Sequence, residues 1–500
     1  MAERKTSATK KEPASKRKEF QKKFDYEDAQ KLLEVRHLKQ YFRFAGVKGA
    51  NKYLKAVHDV SFDVYKGEVF GLVGESGCGK TTTGRDIMKL YKITSGDIWL
   101  DGIRISAGTR WNEKEIKYTN LRLENDLKKL YAQKEAALDD YLATYKEKFL
   151  ASANLFKSRS ELAKKPEQVK DYEEKKKLYE DYLEAIKPLD EEITKKKEIA
   201  ASIVSVQRDK IASAKKDDRN YSKNIALAEM KEVNSKYKDL LDKIAVSSAT
   251  SLSEDELKQY EQYKEEMRKA KHANLANKVQ MIFQDPIASL NPRMTVRNII
   301  AEGLIIQGCH DKKFINDEVA RVLQLVGLVP EHANRYPHEF SGGQRQRIGI
   351  ARAVIMNPEL IVADEPVSAL DVSVQAQVIN LLNDLRNTLG LTIIFIAHNL
   401  SVVKYFCDRI AVMYYGNLVE LATSDELFAH PLHPYTKSLL SAVPCPDPIT
   451  EANRKRIIYN PEKEHDYSKQ KPTFREITKG HFVRCNDEEE ARYLEELKAK

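Results

Sequence analysis

No glycine lies between Gly108 and Gly303, although the 500-residue chain carries 20 of them. Glycine supplies the tight turns and helix ends of a compact fold, so a stretch this long without one points to long helices. Residues 111–270 agree: they hold 34 Lys/Arg and 33 Asp/Glu, and only Pro166 and Pro188 interrupt them. Met230, Val233, Tyr237, Leu240 and Ile244 step 3-4-3-4, a heptad-like seam, and Leu123, Leu127, Leu130, Leu138, Tyr141 and Tyr145 make a similar stripe. Ser253 followed by Glu256 reads as a capping box opening a last helix through about Ala270. We read 109–275 as an inserted helical domain of antiparallel hairpins, broken near Pro166, Pro188 and 246–253. A charged helical rod that is partly disordered is the alternative.

The texture outside the insert is different. Short β-type runs occur at Leu32–Val35, Val57–Val64, Val69–Val73 and Ile98–Leu100. Further runs at Val279–Phe283, Leu360–Ala363, Thr392–Ala397 and Ile410–Tyr414 alternate with helical stretches. That alternation predicts an α/β fold with a largely parallel sheet under covering helices, interrupted by the insert. The chain then divides into 1–26, 27–108, 109–275, 276–430 and a polar 431–500, ending in a helix-like Glu488–Lys500.

Charge and cysteine usage exclude several function classes. The net charge is +9, but residues 1–26 alone hold nine Lys/Arg against four Asp/Glu. A general nucleic-acid-binding surface is therefore not expected, and the first 26 residues read as a basic tail. That tail has two readings, a solvated disordered extension or an electrostatic contact with anionic lipid. The five cysteines form no Cys-x-x-Cys pair, which fits a reducing cytosol better than a disulfide framework or a zinc site. No apolar run approaches the roughly 18–20 residues that span a bilayer, and no apolar run follows the basic N-terminus as a signal peptide would require.

The strongest local signal is Val69–Thr83, V-F-G-L-V-G-E-S-G-C-G-K-T-T-T. A β run leads into Gly74, Glu75, Ser76, Gly77, Cys78, Gly79, Lys80, Thr81 and Thr82, matching G-x-x-x-x-G-K-[ST] ahead of a helix over Thr82–Leu90. Such a loop turns its backbone N–H groups onto phosphate oxygens at a helix start. Lys80 would reach the β- and γ-phosphates of a nucleotide, and the Thr81 hydroxyl would ligate Mg²⁺.

Five further elements narrow the family. Leu360–Glu365 (L-I-V-A-D-E) is an apolar strand ending in two carboxylates, and Phe340–Gln344 (F-S-G-G-Q) precedes it by about 20 residues. Gln284 lies in M-I-F-Q-D-P, Ser368–Asp371 reads S-A-L-D, and His398 closes the run Thr392–Ala397. Together these resemble the ABC-type ATPases, whose fold is a mixed sheet with a helical subdomain. The resemblance implies ATP with Mg²⁺ as cofactor, the metal being held by Thr81, Gln284 and Asp364. It implies that Glu365 polarises the attacking water, with His398 and Gln284 beside it. Ser341, Gly342, Gly343 and Gln344 would bind ATP held by an opposite subunit, and Asp371 would couple the two sites. Phe42, or its neighbour Tyr41, stands where adenine would stack, ahead of a long loop at 45–53.

Pro431–Pro448, P-L-H-P-Y-T-K-S-L-L-S-A-V-P-C-P-D-P, resembles a segment of the oligopeptide/dipeptide importer ATPases. F-Q-D-P-I-A-S-L-N-P-R at 283–293 and Y-P-H-E-F-S-G-G-Q-R-Q-R-I at 336–348 support that branch, and Gln344 is similar to the F-type subunit. The resemblance implies a heterodimer with a D-type ABC ATPase, peripheral on the cytoplasmic side of the cell membrane. It would drive two transmembrane permease subunits fed by an extracytoplasmic peptide-binding protein. The helical insert departs from ordinary members, which have only a short segment there. Chromosome and DNA-repair ATPases also split such a head with coiled coil, but after the glutamine loop; here the insert precedes Gln284. A two-cassette ribosomal factor conflicts with the lone P-loop. Export instead of import stays open.

Overall fold

The computed structural model describes residues 26, 29–43, 53–149, 166–246, 253–443 and 456–498. The basic tail, apart from Tyr26, lies outside these residues, as do 44–52, which hold most of the loop expected at 45–53, residues 247–252 of the break expected at 246–253, and the end of the proline-rich segment, 444–448.

Two contact units emerge, Met1–Gly108 with Asp217–Lys500, and Thr109–Lys216. In the first, strands β1 (Lys31–Arg43), β2 (Tyr53–Tyr65), β4 (Ser95–Leu100) and β5 (Ile103–Thr109) form a four-stranded sheet in the order β2-β1-β4-β5. An eight-stranded sheet has the order β11-β12-β10-β9-β3-β8-β7-β6. Its strands are β3 (Val69–Val73), β6 (Val279–Ile282), β7 (Leu360–Asp364), β8 (Thr392–Ala397), β9 (Arg409–Tyr414), β10 (Asn417–Thr423), β11 (Thr473–Thr478) and β12 (His481–Cys485).

The middle of the large sheet is parallel, with β3 between β8 and β9 and β7 between β8 and β6. These strands read as unbroken apolar runs because both faces are covered. Alternate residues enter different cores. Val69, Val73, Ile361, Ala363, Ile393 and Phe395 pack with the helices, whereas Phe70, Leu72, Leu360, Val362, Ile394 and Ile396 pack against the four-stranded sheet. The helical layer contains α6 (Val296–Ile306), α7 (Lys312–Leu325), α8 (Gly342–Val354), α9 (Val372–Leu389) and α10 (Leu400–Phe406). Helix α1 (Lys80–Ile87) follows β3 directly and buries Ile87 in the second core.

The polar C-terminal stretch extends the sheet. β12 pairs antiparallel with β10 and β11 with β12. Helices α11 (Pro434–Ser441) and α12 (Asp487–Lys498) flank this edge, and a small core of Leu432, Ile477, Val483, Cys485 and Tyr493 holds it.

The second unit pairs α2 (Arg110–Phe149) with the first part of α3 (Pro166–Lys236). Asn112 bonds Gln207, Asp126 bonds Lys196, Lys134 bonds Asp190, and Tyr141 stacks near Tyr182, so the two helices run antiparallel. Pro166 opens α3, but Pro188 lies inside it without ending it. An interior proline costs about 3 kcal/mol; buried Ile186 and Ile193 on either side of it, with the Lys134–Asp190 pair, offset that.

The segment read as one insertion over 109–275 is divided by its contacts. From Asp217 onward it belongs to the first unit. The last turns of α3 bury Ile225 in the second core. There Asp217 bonds Arg104 (2.9 Å), Asp218 pairs with Lys89 (2.8 Å), and Glu229 pairs with buried Lys278. After α3, Tyr237 and α4 (Lys238–Val246) meet α5 (Glu254–Lys271) through Tyr237–Tyr263 and Lys243–Glu256. The Ser253–Glu256 capping box closes reciprocally at 3.0 and 3.3 Å.

Candidate active site

The loop between β3 and α1 has three exposed residues, Glu75, Ser76 and Gly77, followed by buried Cys78, Gly79 and Lys80. Gly74 (φ +146°) and Gly79 (φ +107°) are required twice over. Each has a backbone angle that side-chain-bearing residues rarely adopt, and a Cβ would strike the Met413 carbonyl at one and the Ala56 carbonyl at the other. The loop therefore lies flush against β9 and β2. Lys80, 4% exposed, donates to the carbonyls of Gly74 (2.7 Å) and Glu75 (2.9 Å), so its ammonium is held over the loop and not out in solvent.

Thr81, the next residue, donates its hydroxyl to Asp364 at 2.8 Å. Asp364 ends β7 almost wholly buried, and burial pushes its carboxyl above the usual range although the Thr81 bond opposes this. Glu365 follows with φ +44°, a left-handed conformation for a non-glycine residue. Its N–H donates to Ile396 on β8 (3.0 Å), which fixes the turn. Gln284 Nε2 donates to Glu365 Oε2 (3.0 Å), and His398 Nδ1 lies 3.1 Å from the same oxygen. Both contacts use Oε2, leaving Oε1 to accept from a water.

Thus Lys80, Thr81, Gln284, Asp364, Glu365 and His398 come together, although 318 positions separate Lys80 from His398. They arrive on the ends of three adjacent parallel strands and the loop after β6. Ser341–Gln344 form a separate helix start. Ser341 caps α8, its hydroxyl accepting from Gln344 N (3.4 Å) while Gln344 Oε1 accepts from Ser341 N (3.1 Å). Gly343 is needed there because a Cβ would press on Val374, just past Asp371, the residue that caps α9. The aromatic pair also separates: Tyr41 bonds His58 through its hydroxyl, whereas Phe42 packs edge-on to Tyr91 at 5.5 Å.

A family model described as ABC transporter matches residues 57–253 and 245–368, and one described as oligopeptide/dipeptide transporter, C-terminal region, matches 419–488. The oligopeptide transport ATP-binding protein OppF of Bacillus subtilis (strain 168) is 39% identical over 461 residues, covering 92% of this chain and 98% of the relative. This chain belongs to the ABC transporter ATP-binding proteins. The dipeptide transport ATP-binding protein DppF of Lactococcus lactis subsp. cremoris (strain MG1363) is 36% identical over 91% of this chain and 94% of its own length. AmiF of Streptococcus pneumoniae serotype 4, an oligopeptide transport ATP-binding protein, is 55% identical over 45% of this chain and 73% of its own length.

As an ABC ATPase the chain binds and hydrolyses ATP. No described helix is long and apolar enough to cross a membrane. One residue of the loop's surroundings escapes motif reading. Tyr435, on α11, accepts the Glu75 N–H with its hydroxyl at 3.1 Å. Its sequence signal was only its place in the proline-rich P-L-H-P-Y-T stretch, 360 residues away from Glu75.

Proposed function

We propose that this chain powers the uptake of oligopeptides as one ATPase of a heterodimer on the cytoplasmic face of a membrane. Its partners in this reading are a D-type ABC ATPase, two transmembrane permease subunits and an extracytoplasmic peptide-binding protein. The observation that carries the reading is the shared carboxylate oxygen of Glu365, held by Gln284 and His398, in a chain whose C-terminal region matches the oligopeptide/dipeptide transporter model.

The mechanism follows from the groups in place. The N–H groups of Gly74–Thr82, with Lys80 beside them, would hold the ATP phosphates, and Phe42 would stack on the adenine. Mg²⁺ fits a hard-oxygen pair, the Thr81 hydroxyl and the Asp364 carboxylate, which already share a hydrogen bond, with Gln284 nearby. When bound, it neutralises phosphate charge; burial of Asp364 favours such a counter-cation. Glu365 accepts a proton through Oε1 from the attacking water, while Gln284 and His398 hold Oε2. Ser341–Gln344 offer a second anion-binding helix start to ATP on the partner ATPase, with Asp371 beside it. Gln284 sits on the loop that leaves β6, so a change at the phosphates moves that loop. Affinity purification of the tagged chain from detergent-solubilised cells should bring down two multi-span membrane proteins and a second ABC ATPase. Ribosomal or chromosomal proteins alone would overturn the transport reading.

A further inference from the structure

We propose that Tyr435 is a positioning residue of the nucleotide site, acting through the Gly74–Glu75 peptide on Lys80. The inference rests on the reading of Gly74–Thr82 as the phosphate cradle. One peptide group links the two bonds involved. Its N–H, from Glu75, donates to the Tyr435 hydroxyl at 3.1 Å, and its carbonyl, from Gly74, accepts the Lys80 ammonium at 2.7 Å. Fixing one end of that peptide fixes the other, and with it the resting place of the ammonium.

Tyr435 is itself rigidly held. It is 2% exposed. Its backbone N–H donates to His433 Nδ1 (3.1 Å), and its ring lies 4.4 Å from that of Tyr414 at the end of β9 and 5.5 Å from Tyr459. The preceding residues are tied to β10, where the Glu420 carboxylate accepts the N–H groups of Leu432 (2.8 Å) and His433 (3.1 Å). A second contact reaches the loop from the turn between β9 and β10, the Gly416 N–H donating to the Cys78 carbonyl at 2.9 Å. Tyr435, on the C-terminal segment, therefore adds a bond at exposed Glu75 to a loop whose carbonyls of Gly74 and Glu75 already accept from Lys80. A tyrosine whose sole task was packing would need no hydroxyl at this point, because burial of the ring alone fills the space.

Tyr435→Phe keeps the ring and deletes only the acceptor. In the assembled full-length complex, the Kd for ATP and the KM of hydrolysis should rise about two- to tenfold, the range for one neutral hydrogen bond. The kcat at saturating ATP should stay within about twofold, since Glu365 is untouched. Tyr459→Phe, a change in the same aromatic cluster without a bond to the loop, serves as the control and should leave Kd unchanged. Equal shifts in both variants, or an unchanged Kd in Tyr435→Phe, would assign Tyr435 to packing alone and overturn the proposal. Lys80→Ala separates this from failure of the underlying reading: if Lys80→Ala binds ATP like the wild type, the cradle assignment itself falls. If Lys80→Ala loses binding while Tyr435→Phe does not, only the role of Tyr435 falls.

Discussion

Replacing Glu365 by glutamine separates the base function proposed for it from its shape. The amide is nearly isosteric, and its oxygen can take the Oε2 position, accepting from Gln284 at about the native 3.0 Å. The amide nitrogen then occupies the Oε1 position, where it donates to water and cannot take a proton. General-base contributions of this kind are on the order of 10²–10⁴ in rate, about 2.7–5.4 kcal/mol of transition-state stabilisation. Lys80, Thr81 and Asp364 make no contact with the altered group, so the Kd for ATP should stay within about twofold. Steady-state phosphate release by the purified complex gives kcat, and equilibrium binding of labelled ATP gives Kd. A kcat within about threefold of wild type would refute the assignment of the base. A large loss of binding with little further loss of kcat would move Glu365 from hydrolysis to nucleotide binding.

Two other expectations follow from the packing. Burial pushes His433 down to about 3 from an ordinary value of 6.5. The unfolded chain therefore gains a proton below about pH 6.5 that the folded chain refuses. Stability is full well above that value and falls as the pH drops toward 3, by about 1.3 kcal/mol between pH 7 and 5.5 from this group. Melting curves of wild type and His433→Asn at both pH values test this, and an identical acid loss in the variant would contradict it. Ile225, 1% exposed in the core beneath the four-stranded sheet, should cost about 2–5 kcal/mol on truncation to alanine. The ATPase activity should melt earlier in Ile225→Ala than in Ile193→Ala, whose side chain is buried in the α2–α3 pair; equal effects would refute the division at Lys216/Asp217.

What could be read from the sequence follows from how local each cause is. β3 and β8 coincide with the predicted Val69–Val73 and Thr392–Ala397 because a strand buried on both faces must be apolar throughout. The Ser253–Glu256 box is legible because its two bonds close within four residues. The hairpin β11–β12 was not: Thr473–Thr478 is largely exposed and Arg-Glu-bearing, so its strand character depends on pairing with β10 through β12. The end of the inserted unit was hidden for a related reason. Asp217, Asp218 and Glu229 look like any solvated helix face until Arg104, Lys89 and Lys278 are brought opposite them. Pro188 shows the converse, a strong local signal overridden by tertiary pairing. At the site, motif spacing names Lys80, Thr81, Gln284, Asp364, Glu365 and His398, which the fold brings together, but the sharing of Oε2 by Gln284 and His398, and the reach of Tyr435 to Glu75, exist only once distant strands are aligned.

The central claim, that ATP turnover at this site drives peptide across a membrane, is tested most directly in proteoliposomes containing the whole purified complex. With ATP supplied on the face that carries this chain, labelled oligopeptide should move from the opposite compartment, where the binding protein is added, to the ATP side. That movement should stop in Glu365→Gln. Undiminished peptide movement in that variant, or ATP hydrolysis with no peptide transfer in that direction, would contradict the claim.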